Sequence, residues 1–334
     1  MKKRLALSVA MEGVSLADHA ELAQEAEQLG YTDAWSLEVD GVDVFTPLAL
    51  IAQATGMRVG TAIANVFTRG PGTMAVSAAG IAEIAPGRFC LGLGSGSRPI
   101  VESWNGGSFA RPVTRVREMI QVLRSAFAGE RVAFEGKSMS VQGFRLTRPP
   151  TAPIPIHVAA LRPGMLEVAG QAADGVIINW LSSDDVHQSV DVVHKAAGEA
   201  GRDPKDVEIV ARLMINIDPV TPESETFVRR HITAYLTVPV YRAFHVWLGR
   251  ADLLTPMWEA WDAGDRRGAV DAIPEKVIDD IILRGPIEAI RDQIEGYFKA
   301  GVDTASLRLL THERDPEKSR ELQMQALRRL APKA

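Results

Sequence analysis

One cysteine in 334 residues leaves no disulfide within the chain and no cysteine-built metal centre. That residue, Cys90, sits in the apolar run Phe89-Cys90-Leu91 and reads as a small buried strand residue rather than a reactive thiol. Positive charge is not in excess: the formal net charge is −5 and the pI is near 5.9. Nothing therefore suggests a nucleic-acid partner attracted by bulk charge. No stretch reaches the roughly 18 apolar residues needed to cross a bilayer. The apolar-leaning segment after Met1-Lys2-Lys3-Arg4 breaks off at Glu12, too short for a signal peptide. A cytosolic protein with no membrane partner is expected. The seven histidines show no metal spacing; His187 and His194 are seven apart, outside the i, i+4 geometry of a shared ion. No Ser-His-Asp set, Walker loop or zinc signature is present, which leaves little support for a hydrolase.

What is there is a globular composition, 46% hydrophobic and 24% charged, arranged in a strict alternation. Short β-rich runs fall at 5–9, 33–38, 58–63, 88–93, 156–160, 175–179, 207–215 and 304–310. Helical patterns fall at 16–29, 47–54, 73–84, 114–127, 164–172, 185–200, 286–300 and 316–330. Eight strand–helix units predict a closed parallel (β/α)8 TIM barrel. A doubly wound sheet also alternates but more often stops at five or six strands. No internal repeat, low-complexity tract or Gly/Ser linker marks a boundary, so 1–334 reads as one domain. Two insertions interrupt the alternation, after strands four and seven. Residues 129–153 read as a small hairpin ending in Pro149-Pro150-Thr151-Ala152-Pro153. Residues 221–283 read as mostly helical and carry Tyr235, Tyr241, Trp247, Trp258 and Trp261. That aromatic excursion is either a lid over the site or a dimer surface, and the two roles are compatible.

In a barrel of this kind the site lies where strands end and βα loops begin. Arg69, Arg98 and Arg162 follow three consecutive strands at comparable offsets and are expected to form an anion site on one sector of the mouth. Arg162-Pro163-Gly164 also precedes a helix whose first N–H groups are free to bind an anion. Gly92-x-Gly94-x-Gly96 follows a fourth strand, so it is not a dinucleotide fingerprint; it implies close approach of backbone to something, as a flat ring would require. Glu38 is a strand-end carboxylate, either handling a proton or pairing with a neighbouring loop arginine. Glu102 is either a pocket group or a loop-to-helix cap, and His157 is placed to face the barrel interior.

At these positions the chain resembles the bacterial luciferase-like monooxygenase superfamily, and within it the coenzyme F420 (deazaflavin) oxidoreductases. The resemblance is carried by Trp35-Ser-Leu-Glu38, Arg58-Val-Gly-Thr-Ala-Ile63, Pro86-Gly-Arg-Phe-Cys-Leu-Gly-Leu-Gly94, Ile100-Val-Glu-Ser-Trp104, Pro155-Ile-His-Val-Ala-Ala160 and Ala173-Asp-Gly-Val-Ile177. It implies a homodimeric flavin-binding barrel acting on a small-molecule substrate, with a non-prolyl cis peptide at Ala62–Ile63 backing the ring. Glu38, Ala62, Ile63 and Asn65 would then line the ring, with Glu38 and Asn65 as its catalytic neighbours. Gly94 and Ser95 would lie near the ring and ribityl chain; Ala160, Leu161, Arg162 and Gly175 near the phosphate, with Arg69 and Arg98 adding charge. Two departures matter. Val39 stands where sugar-phosphate-oxidising members carry a histidine, and Ser97 where they carry a glutamate, so glucose 6-phosphate is not the expected substrate. The resemblance implies hydride transfer with F420 to a small organic substrate, apolar if the aromatic insertion shapes the pocket. An FMN-dependent monooxygenase and a non-catalytic cofactor binder stand as alternatives.

Overall fold

A computed structural model describes residues 3–332. Eight parallel strands close on themselves: β1 (Arg4–Val9), β2 (Asp33–Ser36), β3 (Arg58–Thr61), β4 (Phe89–Gly94), β5 (Ile156–Ala159), β6 (Gly175–Asn179), β7 (Glu208–Asn216) and β8 (Thr304–Leu310). Each pairs with its neighbours in chain order, and β8 returns to β1 to complete the (β/α)8 barrel. The ring is carried by α1 (His19–Gln28), α2 (Thr46–Ala54), α3 (Pro71–Ile84), α4 (Pro112–Phe127), α5 (Pro163–Ala172) and α6 (Val186–Glu199). The 221–283 insertion forms α7 (Pro222–Leu236), α8 (Pro239–Trp247), α9 (Ala251–Asp262), α10 (Arg266–Asp271) and α11 (Glu275–Ile281); α12 (Ile287–Lys299) and α13 (Pro316–Leu330) follow. The 129–153 insertion is the expected antiparallel hairpin, Val132–Glu135 against Ser140–Phe144. Among the described residues no helix is long and apolar enough to cross a membrane.

Strand pleating sends alternate side chains outward to the helices and inward to the lumen. In β7 the outward set is Ile209, Ala211, Leu213 and Ile215, all in the main apolar core; in β8 it is Ala305, Leu307 and Leu309. The inward set is mixed: it runs Glu208, Val210, Arg212 in β7 and Thr304, Ser306, Arg308 in β8. The lumen is filled in layers. Its floor is an ion network. Arg58 binds Glu208 through both terminal nitrogens at 2.7 and 2.6 Å and also binds Asp33 through Nε. Thr304 donates to Glu208 at 2.7 Å, and His157 Nε2 lies 3.5 Å from the same carboxylate. Burial would raise the Glu208 pKa, but the Arg58 and Thr304 hydrogen bonds and the charges of Arg58 and His157 hold it at about 2. Burial lowers His157 to about 4, against the pull of Glu208, so its ring is neutral at pH 7. Above this floor Trp35 fills the axis: it stacks on His157 at 5.6 Å, and a Cβ at Gly60 would come within 2.7 Å of its ring. Cys90 is buried in this layer, and burial raises its pKa well above the ordinary thiol value, which makes it inert.

The insertion is bolted to the barrel rather than draped on it. Arg250, 5% exposed, joins Asp185 at the start of α6 to Asp280 in α11, at 2.5 and 3.1 Å. The return segment Ile282–Leu283 pairs in parallel with Met214–Ile215 of β7, beyond the point where β6 ends, and so heightens that wall of the mouth.

Candidate active site

The top of the lumen core is made by Ala62, Ile63 and Ala159, packed over Ala6, Trp35, Cys90, Ile177 and Val210. These residues close the barrel from below and form the floor of the open mouth. The Ala62–Ile63 peptide is cis, as the resemblance implies; Val9–Ala10 is cis as well, which sequence reasoning did not anticipate. After this turn the chain rejoins the sheet, with Ala64–Asn65 paired to Leu93–Gly94.

That local path explains the glycines of the fourth strand. A Cβ at Gly92 would lie 1.9 Å from the Thr61 carbonyl oxygen, one at Gly94 2.7 Å from Ile63 Cγ1, and one at Gly96 2.3 Å from Asn65 Nδ2. The close approach inferred from Gly92-x-Gly94-x-Gly96 is therefore to the end of strand three, not directly to a ligand. Gly96 also has φ +62°, a conformation open to glycine. Asn65 is 3% exposed and accepts the Phe67 amide at 2.8 Å through Oδ1, so its side chain builds the turn. Only its amide nitrogen is left to meet a ligand.

The expected arginine set does not converge as three free cations. Arg69 is held by Glu38 at 2.5 Å and lies 3.8 Å from Asp43. Arg98 is exposed and pairs with Glu102 at 2.6 Å, one helical turn on. Glu102 also accepts the Phe109 amide at 3.1 Å, so it organises its own loop. Arg162 remains exposed at the N-cap of α5, beside half-buried Leu161 and buried Ala160. Gly175 belongs to the other end of the barrel. It opens β6 level with Glu208 and His157, and a Cβ there would lie 2.6 Å from the His157 ring. Its lack of a side chain serves the floor network and not a phosphate.

Of the two readings of Glu38, the arginine pairing is present, yet it uses only one oxygen. Glu38 Oε2 and Arg69 Nε are both shut off from solvent without a hydrogen-bond partner. Ser95, half-buried, lies one residue beyond β4. Unused polar atoms recur around the mouth: Trp180 Nε1, Arg212 Nε and Ser306 Oγ are equally without partners. Such groups are costly to bury unsatisfied, and a mouth lined with them is equipped for a polar ligand.

A cluster of cations does occur elsewhere, between Arg98 and Arg162 in the sequence. Arg111, Arg115 and Lys137, with Phe67, Ser108, Ala110 and Ser138, line a cavity of about 400 Å3 at the N-terminus of α4. Arg111 takes a left-handed conformation (φ 52°) at that N-cap. Arg115 is oriented by the Val66 and Ser138 carbonyls at 3.2 and 2.7 Å, and burial lowers its pKa. A Cβ at Gly164 would lie 3.9 Å from Val113, so the first turns of α4 and α5 are in contact, but it is α4 and the hairpin that line the cavity. The start of α4 and three cations form a place for an anion. The spacing Arg111-x-x-x-Arg115 at the head of a helix was the available signal; the contribution of Lys137 depends on the fold of the hairpin.

The opposite side of the mouth is covered by the insertion. Trp180, with φ +58°, directs its ring into a cluster with Tyr235 (4.1 Å), His231 (5.9 Å) and Tyr241 (5.9 Å) from α7 and α8. Of the five aromatics of the insertion, Tyr235 and Tyr241 thus stand over this side of the mouth, where a lid would lie. Beneath it, Asp218 after β7 holds the loop after β8. Its Oδ2 lies 2.7 Å from His312 Nδ1 and accepts the His312 amide at 2.8 Å, while Oδ1 accepts the Thr311 hydroxyl at 2.6 Å. This pairing leaves Nε2 of half-exposed His312 as the ring nitrogen able to meet a ligand.

Comparison with known proteins follows the same outline. Residues 4–304 match the luciferase-like monooxygenase family. A 5,10-methylenetetrahydromethanopterin reductase of Methanolobus tindarius is 34% identical over 201 residues, spanning 60% of this chain and 61% of that protein. A putative coenzyme F420-dependent oxidoreductase of Mycobacterium tuberculosis is 26% identical over 311 residues, 85% of this chain and 88% of the other. Among solved structures, the coenzyme F420 dependent tetrahydromethanopterin reductase from Methanopyrus kandleri superposes with a TM-score of 0.76 at 24% identity, covering 98% of both chains.

Proposed function

The chain belongs to the luciferase-like monooxygenase family, and on that premise we propose that it is a coenzyme F420-dependent oxidoreductase moving a hydride between the deazaflavin and a small organic substrate. The observation that carries this reading is the cationic cavity at the head of α4. It adjoins the end of strand three through Phe67 and offers a place for the cofactor's phosphate and anionic oligoglutamate tail. The ring would rest over Ala62, Ile63 and Ala159, with Glu38, Asn65, Gly94 and Ser95 beside it. Ala160, Leu161 and Arg162 would lead toward the cavity. The unused Oε2 of Glu38 can accept an N–H of the ring system, and its partner Arg69 keeps the carboxylate oriented.

When bound, the deazaflavin supplies a hydride donor or acceptor at its ring carbon. The chain supplies the rest. Ala62 and Ile63 form a rigid apolar surface that a flat ring can lie against, and the glycines opposite let that surface pack without gaps. The Trp180–Tyr235–Tyr241 cluster excludes water from the mouth. The His312–Asp218 pair holds a proton site at Nε2, with Asp218 setting the tautomer, as general acid–base chemistry on a substrate oxygen or carbon requires.

Titration of the purified protein with F420 and with FMN tests the reading. F420 is expected to bind and FMN not to compete. Arg111→Ala and Lys137→Ala should each weaken F420 binding more at low ionic strength than at high, because salt already screens the wild-type attraction. Tight FMN binding without F420 binding would replace this reading with an FMN-dependent monooxygenase. A cofactor that binds but is never reduced or oxidised would leave a non-catalytic binder.

A further inference from the structure

The wall of the mouth across from the Ile63 surface carries two arginines, and the buried acid that follows β7, Asp218, is taken up by Thr311 and His312 rather than by either of them. β7 and β8 lie four strands round the ring from β3 and β4. Arg212 is level with Ser306, and Arg308 with Met214. The two are thus diagonal neighbours, and their alternation with Val210 and Thr304 turns both into the lumen. Arg212 makes no side-chain hydrogen bond or ion pair with any described residue, and its Nε is occluded without a partner. Arg308 donates to the Ala10 carbonyl at 3.2 Å; its nearest acid, Glu12, stands 3.8 Å away and is exposed. Other buried arginines in this chain are compensated. Arg58 has Asp33 and Glu208, Arg250 has Asp185 and Asp280, and Arg88 has three backbone carbonyls. Both guanidiniums are partly buried with little counter-charge, and a ligand that supplies it offsets the cost of their lost hydration. The lid completes the compartment. His231 of α7 is kept neutral by burial and by the charges of Arg308 and Arg212, so it adds a polar contact without a third positive charge.

We propose that Arg212 and Arg308 form a subsite for an anionic oxygen group of the substrate, a carboxylate or a phosphate ester, with the apolar body of that substrate lying against Trp180, Tyr235 and Tyr241. The proposal rests on the reading of the mouth as a deazaflavin site. On that reading the cofactor's own anions have the cavity at the head of α4 on the other side of the barrel, which leaves this pair for the second ligand. Two planar, forked donors on adjacent strands suit the two or three oxygens of such a group. The aromatic lid and the arginine pair thus divide the substrate into an apolar part and a charged end.

Calorimetric titration of the full-length protein, with and without F420, tests this using benzoate, phenyl phosphate and the neutral benzamide. One of the two anions should bind at least tenfold more tightly than benzamide, and which one does so distinguishes a carboxylate from a phosphate site. Arg212→Met and Arg308→Gln should each erase that preference while leaving F420 affinity within threefold of wild type. Equal binding of benzamide and both anions overturns the proposal. So does a parallel loss of F420 and anion affinity in both variants, since the pair would then face the cofactor. If neither variant folds, the wild-type preference for anion over amide decides. Anion binding that survives a failure to bind F420 sinks the cofactor assignment and leaves the subsite standing.

Discussion

Glu208→Gln removes the acceptor that holds three floor residues together, and its cost can be worked in two ways. The carboxylate's pKa of about 2 in the fold, against an ordinary 4.5, corresponds to about 3 kcal/mol of stability at neutral pH. Deleting one partner of a buried ion pair costs about 3–5 kcal/mol by mutational experience, and Arg58 would keep only Asp33. The pH dependence carries the sign. Because the folded-state pKa is depressed, the contribution is complete above pH 4.5 and disappears as pH falls through about 2. By pH 3 about 2 kcal/mol of it is gone. Urea unfolding followed by tryptophan fluorescence is the assay, with Trp35 stacked on His157 directly above the network. The variant should unfold with about 3 kcal/mol less free energy than wild type at pH 7, and the gap should narrow to about 1 kcal/mol at pH 3. A gap unchanged between pH 7 and pH 3, or absent at pH 7, would refute the claim that this carboxylate is charged and held by Arg58.

Three further outcomes follow from particular contacts. Gly92→Ala places a Cβ 1.9 Å from the Thr61 carbonyl, so thermal unfolding should show a loss at or above the upper end of the about 1–3 kcal/mol typical of overpacking; an unchanged midpoint would mean that strand three can move. Arg250→Met strands Asp185 and Asp280 in a largely buried setting, costing about 3 kcal/mol or more. Hydrogen exchange should then quicken in α8–α11 but not in β1–β4, and uniform quickening would count against a local anchor. His312→Gln should lower kcat by about 100-fold with little change in KM, as expected for loss of a general acid–base group; a kcat within twofold of wild type would exclude His312 from proton transfer.

Much of the frame is legible in the sequence alone. The strands at 175–179 and 304–310 and the helix at 316–330 have the bounds that periodicity assigned, because each is a strong pattern with clear ends. The site was legible in outline only. Glu38, Ile63 and Ala160 stand where strand ends should place them, but side-chain partners are long-range facts. Whether Arg69 is free depends on Glu38, 31 residues earlier, and the fourth-strand glycines answer to Thr61, Ile63 and Asn65. Arg212 and Arg308 lie within strands, not in the loops after them, where a barrel's site residues are expected. A lone arginine in an apolar strand was the signal, and its meaning depends on which face of β7 and β8 turns into the lumen.

Trp35 and the ion network beneath it have a kinetic consequence. They make the barrel a blind well, plugged below and roofed by α7 and α8 on one side, so that whatever enters must leave by the same opening. Two ligands that share such a well cannot pass one another. If the ring rests on the Ile63 floor and the substrate lies against β7 and β8 under the insertion, the substrate would stand between the ring and the opening, and the ring would enter first and leave last. Compulsory order in the steady state would then come from the shape of the container, with no conformational signal between the two ligands.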